Sequence, residues 1–583
     1  MMISKINGRK TIQLLLFCTV VAFLMQLPYL LGYLTTPEGV FYTGLIMNPE
    51  DSQTYWAKMT QGFNGAWAYT IPFTTEAHEP AYVGIFYVWL GQLARLLGIS
   101  ITAVWHSSRI VATIILFMTV YWFIGLFVGN RGLVTGDQNH QSPMTNPQLP
   151  NLHQFTFLLA IFGSGLGWLL FILQAPYWLS AFPVDFKQPG AHLFFTAMTF
   201  PHITLGTACI LISLGMLHKF GLEERKEKKE KISQGWYLPF TIHHLPVTIL
   251  FALSNLLLGI AYPFLIYLVA GTALLLGLYL MWQKRGVPWL YGGLTAVGFI
   301  IPAPLNLYYV SVLQTNEVFK AWDVQAITPS APWPHYLIAF GPYLWFAWVY
   351  WRNSQQNRDQ TIILYCWILT VILLLYAPLN PQRRFIQGVQ VPLAILTGLA
   401  VVQIILPRWV QSKRWQSIVA RPRYETKKLA RLLGVIFLLF MCLSNIYLWS
   451  DITRIATLTQ PAPLFRSEDE FEAAKWLREE NLSTTVFGTM QTGNLIAAQN
   501  GTPVFIGHWA ETVDYEAKLV QGEQFFDPTT TDEWRKQLLN QHNIDYVWLG
   551  PQEDPANQLD LESIDFLTLL YENSTISIYK FTP

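Results

Sequence analysis

The sequence predicts a polytopic α-helical membrane protein that ends in a small soluble α/β domain. Its 583 residues are 52% hydrophobic and only 13% charged, about half the charged fraction of ordinary soluble domains. The charges are also unevenly divided: residues 1–449 hold 29 Lys and Arg against 15 Asp and Glu, whereas residues 450–583 hold 8 against 21. This composition excludes a disordered chain, a coiled coil and an ordinary cytosolic enzyme.

Apolar segments of roughly the 20 residues that cross a bilayer recur along the chain. The first, 11–34, follows Lys5, Arg9 and Lys10 and lacks a small-x-small cleavage site. We therefore expect a retained span with the N-terminus in the cytoplasm. The further candidate spans are 81–98, 103–128, 155–173, 199–217, 241–259, 261–281, 287–312, 334–351, 360–377, 385–406 and 429–449. Residues 1–449 are thus a predicted membrane domain with about 11–13 spans.

Positive charge in short loops sets the orientation of the spans. The basic segments 218–231 and 407–431, with six and eight Lys or Arg, are predicted to be cytoplasmic. From 218–231 onward, spans that cross in alternating directions agree with the charges of the loops between them. They place loop 378–384 and the acidic tail on the outer side of the plasma membrane, which the protein crosses several times. The first loop, 35–80, is also outside. Four candidate spans then precede 218–231 where an odd number is required, so either one does not cross or 174–198 adds a crossing.

Residues 450–583 are predicted to form an extracytoplasmic α/β domain. Ser467 precedes an acidic turn and apolar residues at helical spacing, which is typical of a helix N-cap. The short apolar runs 485–487, 504–506, 546–549 and 576–581 predict strands, and 493–499 and 532–541 predict helices between them.

The first outside loop carries an acidic pair, Glu50-Asp51, in a chain where charge is scarce. An aspartate there can act as general base for an acceptor hydroxyl, and a second carboxylate can hold a metal or orient the acceptor. The structural alternative is that Asp51 caps a helix over 52–62.

The order of residues after the first span resembles the GT-C superfamily of membrane glycosyltransferases, above all its protein O-mannosyltransferase and aminoarabinose-transferase branch. The resemblance extends from the acidic pair to the third apolar segment and concerns only layout beyond it. The family has an acidic Asp-Glu pair, which reads Glu50-Asp51 here. The matching residues are Asp51, Tyr55, Ala57, Gly62, Trp67, His78-Glu79-Pro80, Gly98 and Arg109.

The resemblance implies roles for residues of the first outside loop. Asp51 corresponds to the catalytic base, with Glu50 as the second catalytic candidate. His78, Glu79 and Tyr55 become candidates for acceptor or substrate binding. For the His78-Glu79-Pro80 junction the alternative is a turn in which proline starts the next helix.

Two later segments supply further candidates. In GT-C enzymes a basic group on a late outside loop binds the phosphate of a polyprenyl-phosphate sugar, and Arg383 and Arg384 resemble it. Their alternative is snorkelling to the interface or pairing with the acidic tail. In the tail, His508 and Trp509 are candidates for acceptor contact, and the alternative is a packing turn.

These observations predict an inverting membrane glycosyltransferase. It would move a hexose or pentose from a polyprenyl-phosphate donor to a hydroxyl of a lipid, glycan or protein acceptor at the outer face. Nucleic acid is not an expected partner. No metal site or cofactor is assigned, although a divalent cation near the first-loop carboxylates is left open. The alternatives are a transporter or flippase of lipid-linked saccharide, which favours internal repeats of spans, and a noncatalytic scaffold with an outer binding domain.

Overall fold

The computed structural model describes residues 8–128, 151–231, 244–420, 425–480 and 484–583. Helices make up most of it. In chain order they are α1 Gly8–Thr35, α2 Pro49–Phe63, α3 Ile85–Leu97, α4 Ile101–Val128, α5 Leu152–Phe162, α6 Trp168–Ile172, α7 Val184–Lys187, α8 Leu193–Met198, α9 Pro201–Lys231, α10 Leu245–Ala261, α11 Ile266–Lys284, α12 Trp289–Ile300, α13 Ala303–Thr315, α14 Glu317–Gln325, α15 Trp333–Asn353, α16 Arg358–Leu374, α17 Gln390–Ala400, α18 Leu406–Val410, α19 Lys413–Val419, α20 Thr426–Met441, α21 Leu443–Arg454, α22 Glu468–Glu480, α23 Met490–Asn500, α24 Tyr515–Phe525 and α25 Asp532–Gln541.

The strands form two small sheets. They are β1 Val40–Tyr42, β2 Phe465–Ser467, β3 Val486–Phe487, β4 Tyr546–Leu549, β5 Leu567–Glu572 and β6 Ser577–Phe581. In the larger sheet the strand order is β3-β4-β6-β5, with β3 parallel to β4 and the other neighbours antiparallel. β1 pairs antiparallel with β2. The first loop and the tail therefore share a sheet although more than 400 residues separate them.

The chain divides into two compact units. The first comprises Met1–Met25, Arg109–Asn306 and Thr328–Ser450, and the second comprises Gln26–Ser108, Leu307–Ile327 and Asp451–Pro583. Late in the chain the first unit ends at Ser450 and the second resumes at Asp451, one residue after the predicted boundary between residues 449 and 450. The second unit also takes in the first loop and a short middle segment, because both pack on the C-terminal domain, which the sequence does not reveal.

Several helices have the length and composition of membrane spans. Among the described residues five helices pass both criteria, or up to seven if each bent helix pair is one span. The predicted polytopic helical fold is therefore confirmed. Most of the other predicted spans correspond to helices that are too short, such as α10, or interrupted, whereas α15 has 21 residues and fails on composition. Arg421 and Arg423 of the predicted cytoplasmic segment 407–431 lie outside the described residues.

The candidate span 81–98 is not a membrane-crossing helix. Its helix, α3, has 13 residues, about 20 Å at 1.5 Å per residue, which is well short of the roughly 30 Å hydrocarbon core. One face of α3 is buried, including Val88, Gly91 and Ala94, and this face packs on α2. The prediction of a span here was wrong because the apolar residues serve a helix–helix contact within the second unit.

The stretch 174–198 adds no crossing either. Its helices α7 and α8 have four and six residues. Asp185 in α7 is fully buried within the first unit, where it accepts hydrogen bonds from the Gly167 amide at 2.9 Å and the Ser444 hydroxyl at 2.7 Å. Its other oxygen lies 3.5 Å from Nε2 of the buried His192. The stretch is therefore fixed inside the first unit by polar contacts.

The C-terminal domain has the predicted α/β character. The Ser467 hydroxyl accepts from the Glu470 amide at 3.3 Å, and the Glu470 carboxylate accepts from the Ser467 amide at 3.1 Å. This reciprocal pair is a capping box that starts α22. The run 546–549 coincides with β4, and 532–541 coincides with α25. The run 504–506 is no strand and contributes only an isolated bridge between Val504 and Val486.

Helices α2 and α3 approach each other closely at two glycines, so a larger side chain at either position should destabilise the fold. A Cβ at Gly91 would lie 1.9 Å from the Met59 carbonyl oxygen, and one at Gly62 would lie 2.1 Å from the Val88 carbonyl oxygen. Gly91→Val should therefore lower the free energy of unfolding by about 1–3 kcal/mol or more, the usual cost of overpacking. Thermal unfolding of the detergent-solubilised protein, followed by tryptophan fluorescence, measures the change.

The control is Gly522→Ala in α24, where a Cβ meets no atom within 4 Å. It should leave the protein equally stable or raise its stability by up to about 1 kcal/mol. Equal destabilisation by both substitutions would contradict the proposed packing of α2 on α3.

Candidate functional site

The acidic pair lies in the first turn of α2. Asn48 occupies the N-cap position in the left-handed conformation with φ 47°, and Pro49 follows at the first helical position. Glu50 and Asp51 complete the turn, where the positive end of the helix dipole favours carboxylates. Because α2 begins before Asp51, this residue is not the N-cap of a helix over 52–62, and the structural alternative for Asp51 does not hold.

The Asp51 carboxylate is paired with His508 of the C-terminal domain. Its Oδ1 lies 3.1 Å from His508 Nε2, and its Oδ2 accepts from the Asn48 side-chain amide. His508 Nδ1 accepts from the Ala510 amide at 3.3 Å. A backbone N–H can only donate, so the proton of the neutral ring is on Nε2 and points to Asp51. Donors on both oxygens fix the carboxylate in one orientation.

A second pair joins the same two segments two helical turns further along α2. Lys58 Nζ lies 2.8 Å from Glu511 Oε1, and the two side chains are 7% and 4% exposed. The Tyr69 hydroxyl donates to Glu511 Oε2 at 2.5 Å, and Lys58 Nζ sits 4.1 Å above the Tyr69 ring. Burial, with the charge and hydrogen bond of Glu511, raises the pKa of Tyr69 well above its ordinary value. The phenol therefore stays protonated and donates.

Residues 507–512, which we call the clasp loop, carry both His508 and Glu511. Gln325 donates to the carbonyls of Ala510 and Thr512 at 3.2 and 2.8 Å. The Thr512 hydroxyl donates to the Phe73 carbonyl at 2.8 Å and accepts from the Gly507 amide at 3.0 Å. Hydrogen bonds to the main chain thus hold the loop in place independently of the His508 and Glu511 side chains.

Aromatic residues flank the Asp51–His508 pair. Tyr55, one turn after Asp51, is half-buried and stacks on Tyr87 with ring centroids 4.4 Å apart. Trp509 is 36% exposed and its ring lies 5.7 Å from that of His508. Exposed and half-exposed aromatic faces next to a carboxylate suit contact with a sugar or another flat ligand.

The other first-loop candidates have surroundings of their own. Glu50, next to Asp51 in α2, is half-buried, and burial and then the charge of Glu50 raise the pKa of Tyr515 in α24. His78 Nε2 accepts from the Ile71 amide at 2.9 Å, and Nδ1 donates to the Glu76 carbonyl at 2.8 Å. Both ring nitrogens are used by the backbone, which favours the turn alternative for His78.

Glu79 is exposed, and its carbonyl accepts from the Asn316 side chain at 3.2 Å. In the described residues no group of three or more His, Cys, Asp or Glu side chains is placed to hold a metal ion.

Arg383 and Arg384 belong to the first unit. They lie on a short 3₁₀ turn, Gln382–Ile386, that precedes α17, and both are half-buried. The Arg383 amide donates to the Thr328 carbonyl at 3.2 Å, and the Arg384 guanidinium lies 5.8 Å from the Phe264 ring centroid.

Sequence reasoning missed Lys58, Glu511, Tyr69 and Gln325. Two signals were present. Lys58 follows Asp51 by seven residues and so shares its helix face, and Glu511 follows His508 by three. Neither spacing reveals that the two segments meet.

A comparable pair lies elsewhere in the second unit. Lys518 Nζ is 2.8 Å from Glu76 Oε2, with side chains 3% and 36% exposed. Burial lowers the pKa of Lys518. Burial alone would raise the pKa of Glu76, but the charge of Lys518 and hydrogen bonds from Lys518 and Thr74 lower it. Variants of this pair are a matched control for variants of the Lys58–Glu511 pair.

The hydrogen bonds predict opposite tautomers for two histidines. Neutral His508 should carry its proton on Nε2, and neutral His78 should carry it on Nδ1. Long-range ¹H–¹⁵N spectra of protein labelled at histidine distinguish the tautomers, and His508→Gln and His78→Gln assign the signals. A His508 ring protonated on Nδ1 at neutral pH would contradict the Asp51–His508 contact.

No protein-family model matches the sequence, and no curated protein sequence matches it. The fold is similar to that of ArnT from Cupriavidus metallidurans bound to undecaprenyl phosphate, with a TM-score of 0.53 and 11% identity over 99% of this chain and 98% of that one. It is also similar to the archaeal oligosaccharyltransferase AglB from Archaeoglobus fulgidus in complex with an inhibitory peptide and a dolichol-phosphate, with a TM-score of 0.51 and 11% identity over 92% and 69% of the chains.

A mutant of the arabinofuranosyltransferase AftD from Mycobacteria gives a TM-score of 0.50 and 12% identity over 96% of this chain and 41% of that one. These three structures differ in source and length but are all GT-C glycosyltransferases. The fold of this multi-pass membrane protein is therefore similar to the fold of these three glycosyltransferases.

Proposed function

We propose that the protein is an inverting glycosyltransferase that moves a sugar from a polyprenyl-phosphate donor to an acceptor hydroxyl, with Asp51 as general base. The observation that carries the proposal is the Asp51–His508 pair: a carboxylate in the first loop of a GT-C fold, held in one orientation by donors on both oxygens. The Asp51 side chain is 27% exposed, so an acceptor hydroxyl can reach it.

In the proposed reaction, Asp51 takes the proton of the acceptor hydroxyl as its oxygen attacks the anomeric carbon. The new glycosidic C–O bond forms as the bond from the anomeric carbon to the phosphate oxygen breaks, and the polyprenyl phosphate leaves with the bonding electrons. Attack opposite the leaving group inverts the anomeric configuration. His508 holds the carboxylate towards the acceptor, and Trp509 and Tyr55 provide aromatic surface for it.

The donor phosphate is assigned to Arg383 and Arg384. Guanidinium groups match phosphate oxygens in a bidentate geometry and stabilise charge that develops on a leaving phosphate. The similar structures of ArnT and AglB were determined with undecaprenyl phosphate and with a dolichol-phosphate, which supports a polyprenyl-phosphate donor. A nucleotide-sugar donor is disfavoured if the site faces away from the cytoplasm.

We place the site at the outer face on the charges that flank the first span. Lys5, Arg9 and Lys10 precede this span, which keeps the N-terminus in the cytoplasm and puts loop 35–80 outside. The β1–β2 pairing then carries the C-terminal domain to the same outer side.

The two rival functions make different demands on Asp51. A transporter or flippase of lipid-linked saccharide would move its substrate across proteoliposomes without breaking the sugar–phosphate bond. A noncatalytic scaffold would bind ligands unchanged after the loss of the Asp51 negative charge. Only the transferase requires a proton acceptor at this position, and only it releases polyprenyl phosphate.

Asp51→Asn should lower turnover by at least about 100-fold, the usual contribution of a general base. The amide oxygen can still accept from His508, so the variant should fold. Release of undecaprenyl phosphate from undecaprenyl-phosphate hexoses and pentoses, by purified protein in nanodiscs, measures the effect. Glu562→Gln, at an exposed carboxylate of the C-terminal domain, is the control with unchanged turnover. Wild-type release by Asp51→Asn would remove Asp51 from the reaction.

Replacing the arginines tests the donor site separately. Arg383→Gln or Arg384→Gln should weaken binding of undecaprenyl phosphate by at least about tenfold, because each lost charged hydrogen bond is worth at least about 1.5 kcal/mol. Arg285→Gln, on an exposed residue between α11 and α12, should leave binding unchanged. Titration into nanodiscs gives the dissociation constants. Equal weakening by all three variants would indicate nonspecific attraction to positive charge.

A further inference from the structure

The Lys58–Glu511 ion pair has no place in the proposed reaction, yet it is buried. Removing two charges from water costs more than many such pairs return. The clasp loop, which carries Glu511, is already held by hydrogen bonds from the Gln325 side chain and the Thr512 hydroxyl to main-chain carbonyls. Holding the loop in position is therefore not a sufficient reason for a charged pair at this place.

The position of Lys58 relative to Asp51 suggests another reason. The two residues are seven apart in α2, about 10.5 Å along the axis at 1.5 Å per residue, and lie on the same face. Side chains on a helix lean towards its N-terminus, so Lys58 leans in the direction of Asp51. Its Nζ is already 5.8 Å from the ring centroid of Tyr55, which lies between them.

An ammonium in this position needs a carboxylate partner. Glu511 supplies one, and the Tyr69 hydroxyl holds its second oxygen. Without Glu511, Lys58 either loses its proton or turns to another carboxylate. On its own helix face, in the direction in which it leans, that carboxylate is Asp51. The Asp51 oxygen that receives His508 would then be drawn to Lys58.

We propose that Glu511 is a positioning residue that acts through Lys58: it keeps the Lys58 ammonium away from Asp51, so that Asp51 keeps His508 as its partner. This inference rests on the proposed function for its kinetic consequences but not for the Asp51–His508 contact itself. A displacement of about 1 Å in a reacting group is enough to cost 100-fold in rate.

The test compares two variants that break the same ion pair from opposite sides. Glu511→Gln leaves the ammonium unpaired, whereas Lys58→Met leaves the carboxylate with Tyr69 as its donor. If the pair only stabilises the fold, both variants should lower thermal stability and affect Asp51 equally. If Glu511 acts as proposed, the variants differ. Glu511→Gln should shift the His508 Nε2–H signal away from its hydrogen-bonded position and lose about 100-fold in kcat with little change in KM, and Lys58→Met should keep both.

The double variant Lys58→Met/Glu511→Gln completes the design. It removes the competing ammonium, so it should recover the His508 signal and the kcat that Glu511→Gln loses. The control pair is Lys518→Met and Glu76→Gln, which breaks an ion pair of the same 2.8 Å length. These variants should lower the thermal midpoint and leave the His508 signal unchanged.

Equal effects of Glu511→Gln and Lys58→Met on the His508 signal would overturn the proposal, as would an unchanged signal in Glu511→Gln. Because the spectra do not depend on turnover, they decide the positioning role even if Asp51→Asn retains full turnover. In that event the proposed function fails while the Glu511 result stands on its own.

Discussion

The contact between α2 and the clasp loop is the constraint on which the candidate site depends. Asp51 and His508 are 457 residues apart in the chain, and Lys58 and Glu511 are 453 apart. A first-loop carboxylate by itself is a solvated side chain with several rotamers. The C-terminal domain converts it into a fixed group, because His508 can donate from only one nitrogen once the Ala510 amide occupies the other.

The second unit buries several of the few charged residues of this chain. Only 13% of all residues are charged, yet the side chains of Lys58, Glu511 and Lys518 are nearly inaccessible to solvent. Each is matched by a carboxylate, an ammonium or a hydroxyl at hydrogen-bonding distance, which is the condition under which burial of charge is tolerated. The exception is Asp51, which keeps partial exposure while its partner is buried, the combination of access and fixed orientation that the proposed general base requires.

Features set by neighbouring residues could be predicted from the sequence. The capping box at Ser467 spans three residues, and β4 and α25 follow from local periodicity, so each is recognisable in a short window. The acidic pair stood out because charge is rare, and its order relative to Tyr55, Gly62 and Trp67 pointed to the GT-C fold. Three features could not be predicted, because each depends on segments that meet only after folding. They are the Lys58–Glu511 pair, the β1–β2 pairing and the packing of α3 on α2. The 81–98 segment is apolar enough for a span, and only its contact with α2 shows that its hydrophobicity serves packing.

The division of the site between two segments far apart in the chain has a consequence for when the site can form. Asp51 leaves the ribosome before His508, Glu511 and the β2 strand do. Until the C-terminal domain folds, α2 carries an acidic turn and a lysine on one face with no partner from the tail. Lys58 then has Asp51 as a carboxylate on its own helix face, the arrangement that we propose Glu511 prevents. A properly oriented Asp51 therefore requires the complete second unit, and under the proposed function the Lys58–Glu511 pair also makes the reactivity of Asp51 depend on the folding of the tail.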